Sequence, residues 1–242
     1  GESEAGGFWG PELRFSGYDG ILITDGASFN TIRDNVIGNS AGAGILIREN
    51  LVAGTSDNTI VGNFIGTDVT GLLDKGNAQF GIEIDNSSAN QIGGSTAAER
   101  NVISGNGLEG ISLWNSGSTL NVIQGNYIGV DVTGDAALGN SADGIVIGGG
   151  ANNNTIGGDR TAGEGNVISG NWHGVAIGGL GTNDNIIAGN FIGTDRDGEA
   201  AIANRDNGVL LIDHTSGNRI GTDGDGVSDP AERNLLSGNR GA

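Results

Sequence analysis

The segment Gly81-Ile82-Glu83-Ile84, followed by Asn90-Gln91-Ile92-Gly93 and by Asn101-Val102-Ile103-Ser104-Gly105-Asn106, holds one complete period of a pattern that starts again at Gly110-Ile111-Ser112-Leu113. Its apolar residues alternate, as in Ile82-Glu83-Ile84, which is the period-2 signature of a strand with one buried face. Working outward, a Gly-Ile-x-Ile-like tetrad recurs at Gly20, Gly44, Gly81, Gly110, Gly144, Gly174 and Gly208. Each is followed by a turn and an asparagine: Asn30, Asn58, Asn90, Asn121, Asn154, Asn185 and Asn218. An x-Ile or x-Val-Ile segment and a Gly-Asn pair complete the period, as at Gly62-Asn63, Gly125-Asn126 and Gly189-Asn190. Strands of only ~3–5 residues cannot build a sandwich, but each can stack on its counterpart one period later, so one period reads as one turn of a solenoid.

The repeat is richer than a single turn. Gly81 to Gly144, Gly110 to Gly174 and Gly144 to Gly208 lie 63, 64 and 64 residues apart, so two turn types alternate. One carries a long excursion after Asn-Phe-Ile-Gly or Asn-Tyr-Ile-Gly, beginning at Thr67, Val130 and Thr194. The other inserts after Ile-Gly-Gly, from Ser95 to Arg100 and from Asp159 to Gly165. Loops are therefore expected to leave two corners on alternate turns.

Composition agrees. Forty-nine Gly against 2 Pro and 5% aromatics do not suit a bulky globular core, while 36% hydrophobic residues at regular places argue against disorder. Eleven Lys and Arg against 29 Asp and Glu give a net charge of -18, which repels phosphate backbones and anionic membranes and excludes nucleic acid as a partner. No apolar stretch approaches the ~18 residues of a membrane span, so membrane insertion is not expected. With no Cys, disulfides and thiolate chemistry are excluded, and with no Met, residue 1 is expected to be a processing site or a boundary within a secreted parent protein.

The Gly-Ile-x-Ile, Asn-x-Ile and Gly-Asn elements resemble the parallel β-helix repeats of the pectate-lyase-like superfamily. The longer strings Asn-x-Ile-Gly-Thr-Asp-x-x-Gly and Arg-Asn-Val-Ile-Ser-Gly-Asn resemble arrays in large secreted bacterial surface proteins. The expected fold is all-β: a right-handed parallel β-helix of about seven to eight turns with a two-turn super-repeat. A single domain spans 1–242, with 1–19 as lead-in and 20–239 as repeat turns. The resemblance implies a secreted or cell-surface location, but the fold carries lyases, hydrolases, epimerases, adhesins and spacers alike.

The recurring Asn suit hydrogen-bond ladders between turns, and the Ile and Val suit the core. The residues facing out between inward Ile read Leu22, Leu46, Glu83, Ser112, Val146, Ala176 and Leu210, which predicts an exposed apolar stripe along Leu22, Leu46, Val146 and Leu210 as an interaction surface. Phe64, Tyr127 and Phe191 recur every second turn, about 9.6 Å apart. They suit either a sugar-binding row or packing beneath the excursion that follows each. Asp223-Gly224-Asp225-Gly226-Val227-Ser228-Asp229 alternates carboxylates around a turn, as a hard cation requires, so Asp223, Asp225 and Asp229 are candidate calcium ligands. The only imidazoles, His173 and His214, read as surface residues, and no paired carboxylates or base-plus-metal cluster emerge at catalytic spacing.

The reading of function is a non-catalytic extracellular or cell-surface solenoid with a structural, adhesive or assembly role, glycan binding included. The alternative is a lyase, glycoside hydrolase or epimerase acting on an extended polysaccharide. Partners are expected to be a polysaccharide or further copies of the chain, joined end to end or through the apolar face.

Overall fold

The computed structural model describes residues 18–51 and 53–241; most of the lead-in 1–19 thus lies outside the described residues. Three parallel sheets of seven strands each form a β-helix of seven turns. The first sheet contains β1 (Ile21–Thr24), β4 (Ile45–Arg48), β7 (Ile82–Asp85), β10 (Ile111–Trp114), β13 (Ile145–Gly148), β16 (Val175–Gly178) and β19 (Val209–Ile212). The second contains β2 (Thr31–Arg33), β5 (Thr59–Val61), β8 (Gln91–Gly93), β11 (Val122–Gln124), β14 (Thr155–Gly157), β17 (Ile186–Ala188) and β20 (Arg219–Ile220). The third contains β3 (Val36–Ile37), β6 (Phe64–Ile65), β9 (Val102–Ile103), β12 (Tyr127–Ile128), β15 (Val167–Ile168), β18 (Phe191–Ile192) and β21 (Leu235–Leu236). Among the described residues, helix is confined to one 3-10 turn at Arg160–Ala162 and a single turn, α1, at Asp229–Glu232. Strand twist favours a right-handed crossover between parallel strands.

Register follows the repeat. Ile111 of β10 pairs with Ile82 and Ile145, and Leu113 with Ile84 and Ile147, all fully buried. The second and third sheets add inward rows such as Ile92–Ile123–Ile156 and Ile103–Ile128–Ile168. Each buried Ile removes apolar area worth roughly 1.5–3 kcal/mol, so the interior is one continuous hydrophobic column.

Asparagines form three ladders, one at each corner. In the first, the expected Asn30-to-Asn218 series, the backbone N–H and Nδ2 of Asn90 both donate to Oδ1 of Asn121, at 2.9 and 2.9 Å. The second contains Asn63, Asn101, Asn126, Asn166 and Asn190, and the third Asn77, Asn106, Asn140, Asn171 and Asn204, with the same geometry. The side chains thereby satisfy corner backbone that short strands leave unpaired. Corners are tight: at Gly129, φ is +83° and a Cβ would lie 2.2 Å from the Ser169 carbonyl oxygen, so only glycine fits.

Insertions leave two corners. After the third sheet on turns two, four and six, small hairpins close through antiparallel bridges Thr67–Asp74, Val130–Ala137 and Thr194–Ala201. They stack on one another: Val132 N–H donates to the Gly71 carbonyl at 3.0 Å and Arg196 N–H to that of Gly134 at 3.1 Å. After the second sheet on turns three, five and seven, the other loops present Glu99, Glu164 and Glu232, whose carbonyls accept from Gly62, Gly125 and Gly189.

Candidate functional site

The aromatic row is where the register placed it, alternating with Val102 and Val167 in the third sheet. It is not an open platform. Tyr127 is buried, and Phe64 and Phe191 pack with Val130, Val132 and Ile202 in a second apolar cluster beneath the hairpins. The Arg100 guanidinium sits 4.1 Å from the Tyr127 ring centroid and Arg160 5.0 Å from that of Phe191. The rings carry the hairpins, and the chain's own cations hold the faces of Tyr127 and Phe191.

The apolar stripe, by contrast, differs from expectation. Leu22 is 42% exposed and Val146 and Leu210 are half-buried, but Leu46 is only 3% exposed, as are Glu83 and Ser112 beside it. Alternation along a strand fixes which side a residue faces, not whether that side meets water. The stripe is therefore interrupted at turns two to four.

Asp223, Asp225 and Asp229 do converge: one oxygen from each lies within 4.8 Å of the others. The loop is the third member of the stacked series at its corner. The Glu232 carboxylate accepts from Asp223 N–H at 3.3 Å, as the Glu164 carboxylate accepts from Asp159 N–H at 2.7 Å. Asp225 Oδ1 accepts from Val227 N–H at 2.7 Å, and the two oxygens of Asp229 accept from the Thr222 hydroxyl and from Gly226 N–H at 3.2 Å. Arg219 Nη1 lies 3.4 Å from Asp223 Oδ2 and competes with a cation there. The donor set is hard oxygen on an exposed loop, which fits a calcium-type ion. The loop also borders a cavity of about 320 Å³ with Asp159, Glu164 and Arg219.

A different cluster was not legible as a motif. The residues that immediately precede the tetrad glycines of turns four to seven are Glu109, Asp143, His173 and Asn207, and stacking brings them into one row at the leading edge of the first sheet. Asp143 Oδ1 accepts from the His173 backbone N–H at 3.0 Å, and His173 Nδ1 accepts from Asn207 N–H at 3.2 Å. With Nδ1 accepting, the neutral imidazole carries its proton on Nε2 and presents it as a donor. His173 is thus a half-buried, oriented member of a cluster rather than a free surface group, whereas His214 is exposed.

Burial pushes the Glu109 carboxyl above its ordinary range, opposed by a backbone hydrogen bond, and the neighbouring Asp143 charge raises it further. Burial also raises Asp143, against the lowering effect of the His173 N–H and imidazole. Two carboxyls with raised proton affinity and one oriented imidazole thus stand on three successive turns, side chains of the kind that serve as general acids and bases. Across the strand from this row the outer face carries Ser112, Val146 and Ala176, then Trp114, Gly148 and Gly178. The signal was present in the sequence as the column of residues before Gly110, Gly144 and Gly174, but it appears only when the turns are aligned on their glycines.

No known protein family and no curated protein matches the sequence. Solved structures similar to the chain include the Azotobacter vinelandii mannuronan C-5 epimerase AlgE6 A-module, at 18% identity and TM-score 0.48, over 93% of this chain and 48% of that one. The periplasmic alginate epimerase AlgG is similar at 17% identity and TM-score 0.49, over 87% of this chain and 47% of that one. The chain thus spans about half the length of either.

Proposed function

We propose that this chain is an extracellular or periplasmic β-helix that performs acid–base chemistry on an extended polysaccharide, with Glu109 and Asp143 as the proton-exchanging carboxyls and His173 as the oriented donor beside them. The observation that carries this reading is the stacked Glu109–Asp143–His173 row. A solenoid built for rigidity alone repeats its corners. Here the column preceding the tetrad glycines reads Asp19, Ala43, Phe80, Glu109, Asp143, His173 and Asn207, and on turns four to six it sets three titratable groups in succession, with burial raising the two carboxyls.

The test is turnover of a panel of neutral and acidic polysaccharides, read as new reducing ends, unsaturated ends or altered sugar configuration. Asp143→Asn is expected to lower the rate by roughly 10²–10⁴-fold, the usual contribution of a positioned general acid or base. Equal rates in wild type and variant, or no turnover of any polysaccharide, would remove the catalytic reading. A non-catalytic rod is the second reading, favoured by the Asn ladders that run unbroken through the turns, and it would show glycan binding without turnover. Calcium at Asp223, Asp225 and Asp229 would stabilise the last insertion loop, and the expected sign is a Tm that rises with added calcium and falls back in chelator. A Tm indifferent to calcium would dismiss the ion.

A further inference from the structure

We propose that the outer face of the first sheet over turns four to six binds an uncharged polysaccharide, with the indole of Trp114 as the surface on which a sugar ring stacks; this rests on the acid–base reading of the same face and adds the charge class of its substrate. Trp114 ends β10 and is 37% exposed. Its ring lies against the next turn, where a Cβ on Gly148 would fall 2.1 Å from Cζ3 and one on Gly149 3.2 Å from Cε2. Any side chain at 148 would lift the ring. The register position is again glycine one turn later, at Gly178, so the face beyond the ring stays low. The ring is thus backed by the chain at Gly148 and Gly149 while 37% of the residue meets solvent, an arrangement that suits the apolar C–H face of a pyranose.

Charge selects among glycans. Asp85 is Trp114's register partner on β7, and Glu109 and Asp143 stand at the other end of the strands, so carboxyls flank the face. Arg48 is the only basic residue in the seven strands of the sheet, and it lies beside Asp85 on the turn farther from Trp114. On a chain of net charge -18, a polyuronate with a carboxylate on every sugar would meet repulsion from these flanking carboxyls, whereas a neutral chain would not. Trp172, 48% exposed and adjacent to His173, offers a second ring at the corner where the glycan enters.

The test measures binding separately from chemistry. Full-length Asp143→Asn is run by affinity electrophoresis at low ionic strength through gels holding β-glucan, mannan, xylan, galactan, alginate or polygalacturonate. Retardation by at least one neutral polysaccharide and by neither polyuronate is expected. Trp114→Ala in the same background is expected to weaken binding about tenfold or more, with Trp114→Phe retaining most of it and unchanged circular dichroism confirming the fold. Equal or stronger retardation by a polyuronate, no retardation by any neutral glycan, or full binding by Trp114→Ala would overturn the proposal. Neutral-glycan binding with no wild-type turnover would leave it standing while the acid–base reading falls; wild-type turnover of alginate would do the reverse.

Discussion

Asn126 shows how much one side chain can carry in this architecture. Fully buried, it donates from Nδ2 to the carbonyls of Ile92 and Gln124 and to Asn166 Oδ1, while its own Oδ1 accepts from both N–H groups of Asn101. Alanine would orphan donors and acceptors on three turns at once, each costing about 1–3 kcal/mol when buried, so Asn126→Ala is expected to lower stability by roughly 3 kcal/mol or more in denaturant melts. The Glu109 and Asp143 carboxyls act in the opposite sense. Their folded pKa values are raised, so the stability they contribute is full below the ordinary carboxylate range and is lost as pH rises through the raised values. Glu109→Gln and Asp143→Asn are expected to melt above wild type near pH 7, with the gap closing below about pH 4. Asp159 is the internal control: the Thr161 and Ser228 hydroxyls hold it down at about 2, so its contribution is present at neutral pH and lost as pH falls toward that value. Asp159→Asn should therefore melt below wild type at neutral pH, and a common sign for all three variants would contradict the assignment.

The strands and corners were legible because every turn states them again. Ile82-Glu83-Ile84 shows alternation, the 64-residue spacing shows that two loop types take turns, and the ladder asparagines sit at one phase of each period. Leu46 was misjudged because alternation reports direction and not cover, and Tyr127 lay open in sequence to two readings because burial depends on the hairpin that follows it. The acid–base row was missed for a different reason: Glu109, Asp143 and His173 are 30 or more residues apart and share no local motif, so only the stacking register joins them. Glycines separate conformation from crowding at the level of the element. Gly134 and Gly224 have nearly equal φ, +75° and +74°, but a Cβ on Gly134 would lie 2.8 Å from the Tyr127 ring whereas Gly224 has nothing within 4 Å. Gly224→Ala is expected to cost about 1 kcal/mol from the left-handed backbone alone, and Gly134→Ala clearly more, because it also pries the hairpin from the ring. Equal losses would mean that the hairpins do not depend on the aromatic row.

Taken whole, a seven-turn stack is a one-dimensional object in which each turn is held by its neighbours. Strands β10 and β13 pair on both sides, and their inward residues are fully buried. The strands of turn seven each pair with a single neighbour among the described residues, and the inward residues Leu211, Ile220 and Leu236 are 44, 39 and 45% exposed. At the other end Ile23, Ile32 and Ile37 are buried, so the two ends are not equivalent. Local opening follows buried contact, and native-state hydrogen exchange is expected to show protection falling from turns four and five toward β19, β20 and β21, with the last turn opening well before global unfolding. Replacing Leu211 with Lys should change that gradient little, since the side chain is already half in water, whereas Leu113→Ala, at the fully buried equivalent position on turn four, should cost about 2–5 kcal/mol and lower protection in the turns on either side. Uniform protection across all seven turns would mean that something covers turn seven in solution, and the exposed Leu211, Ile220 and Leu236 would then mark where it binds.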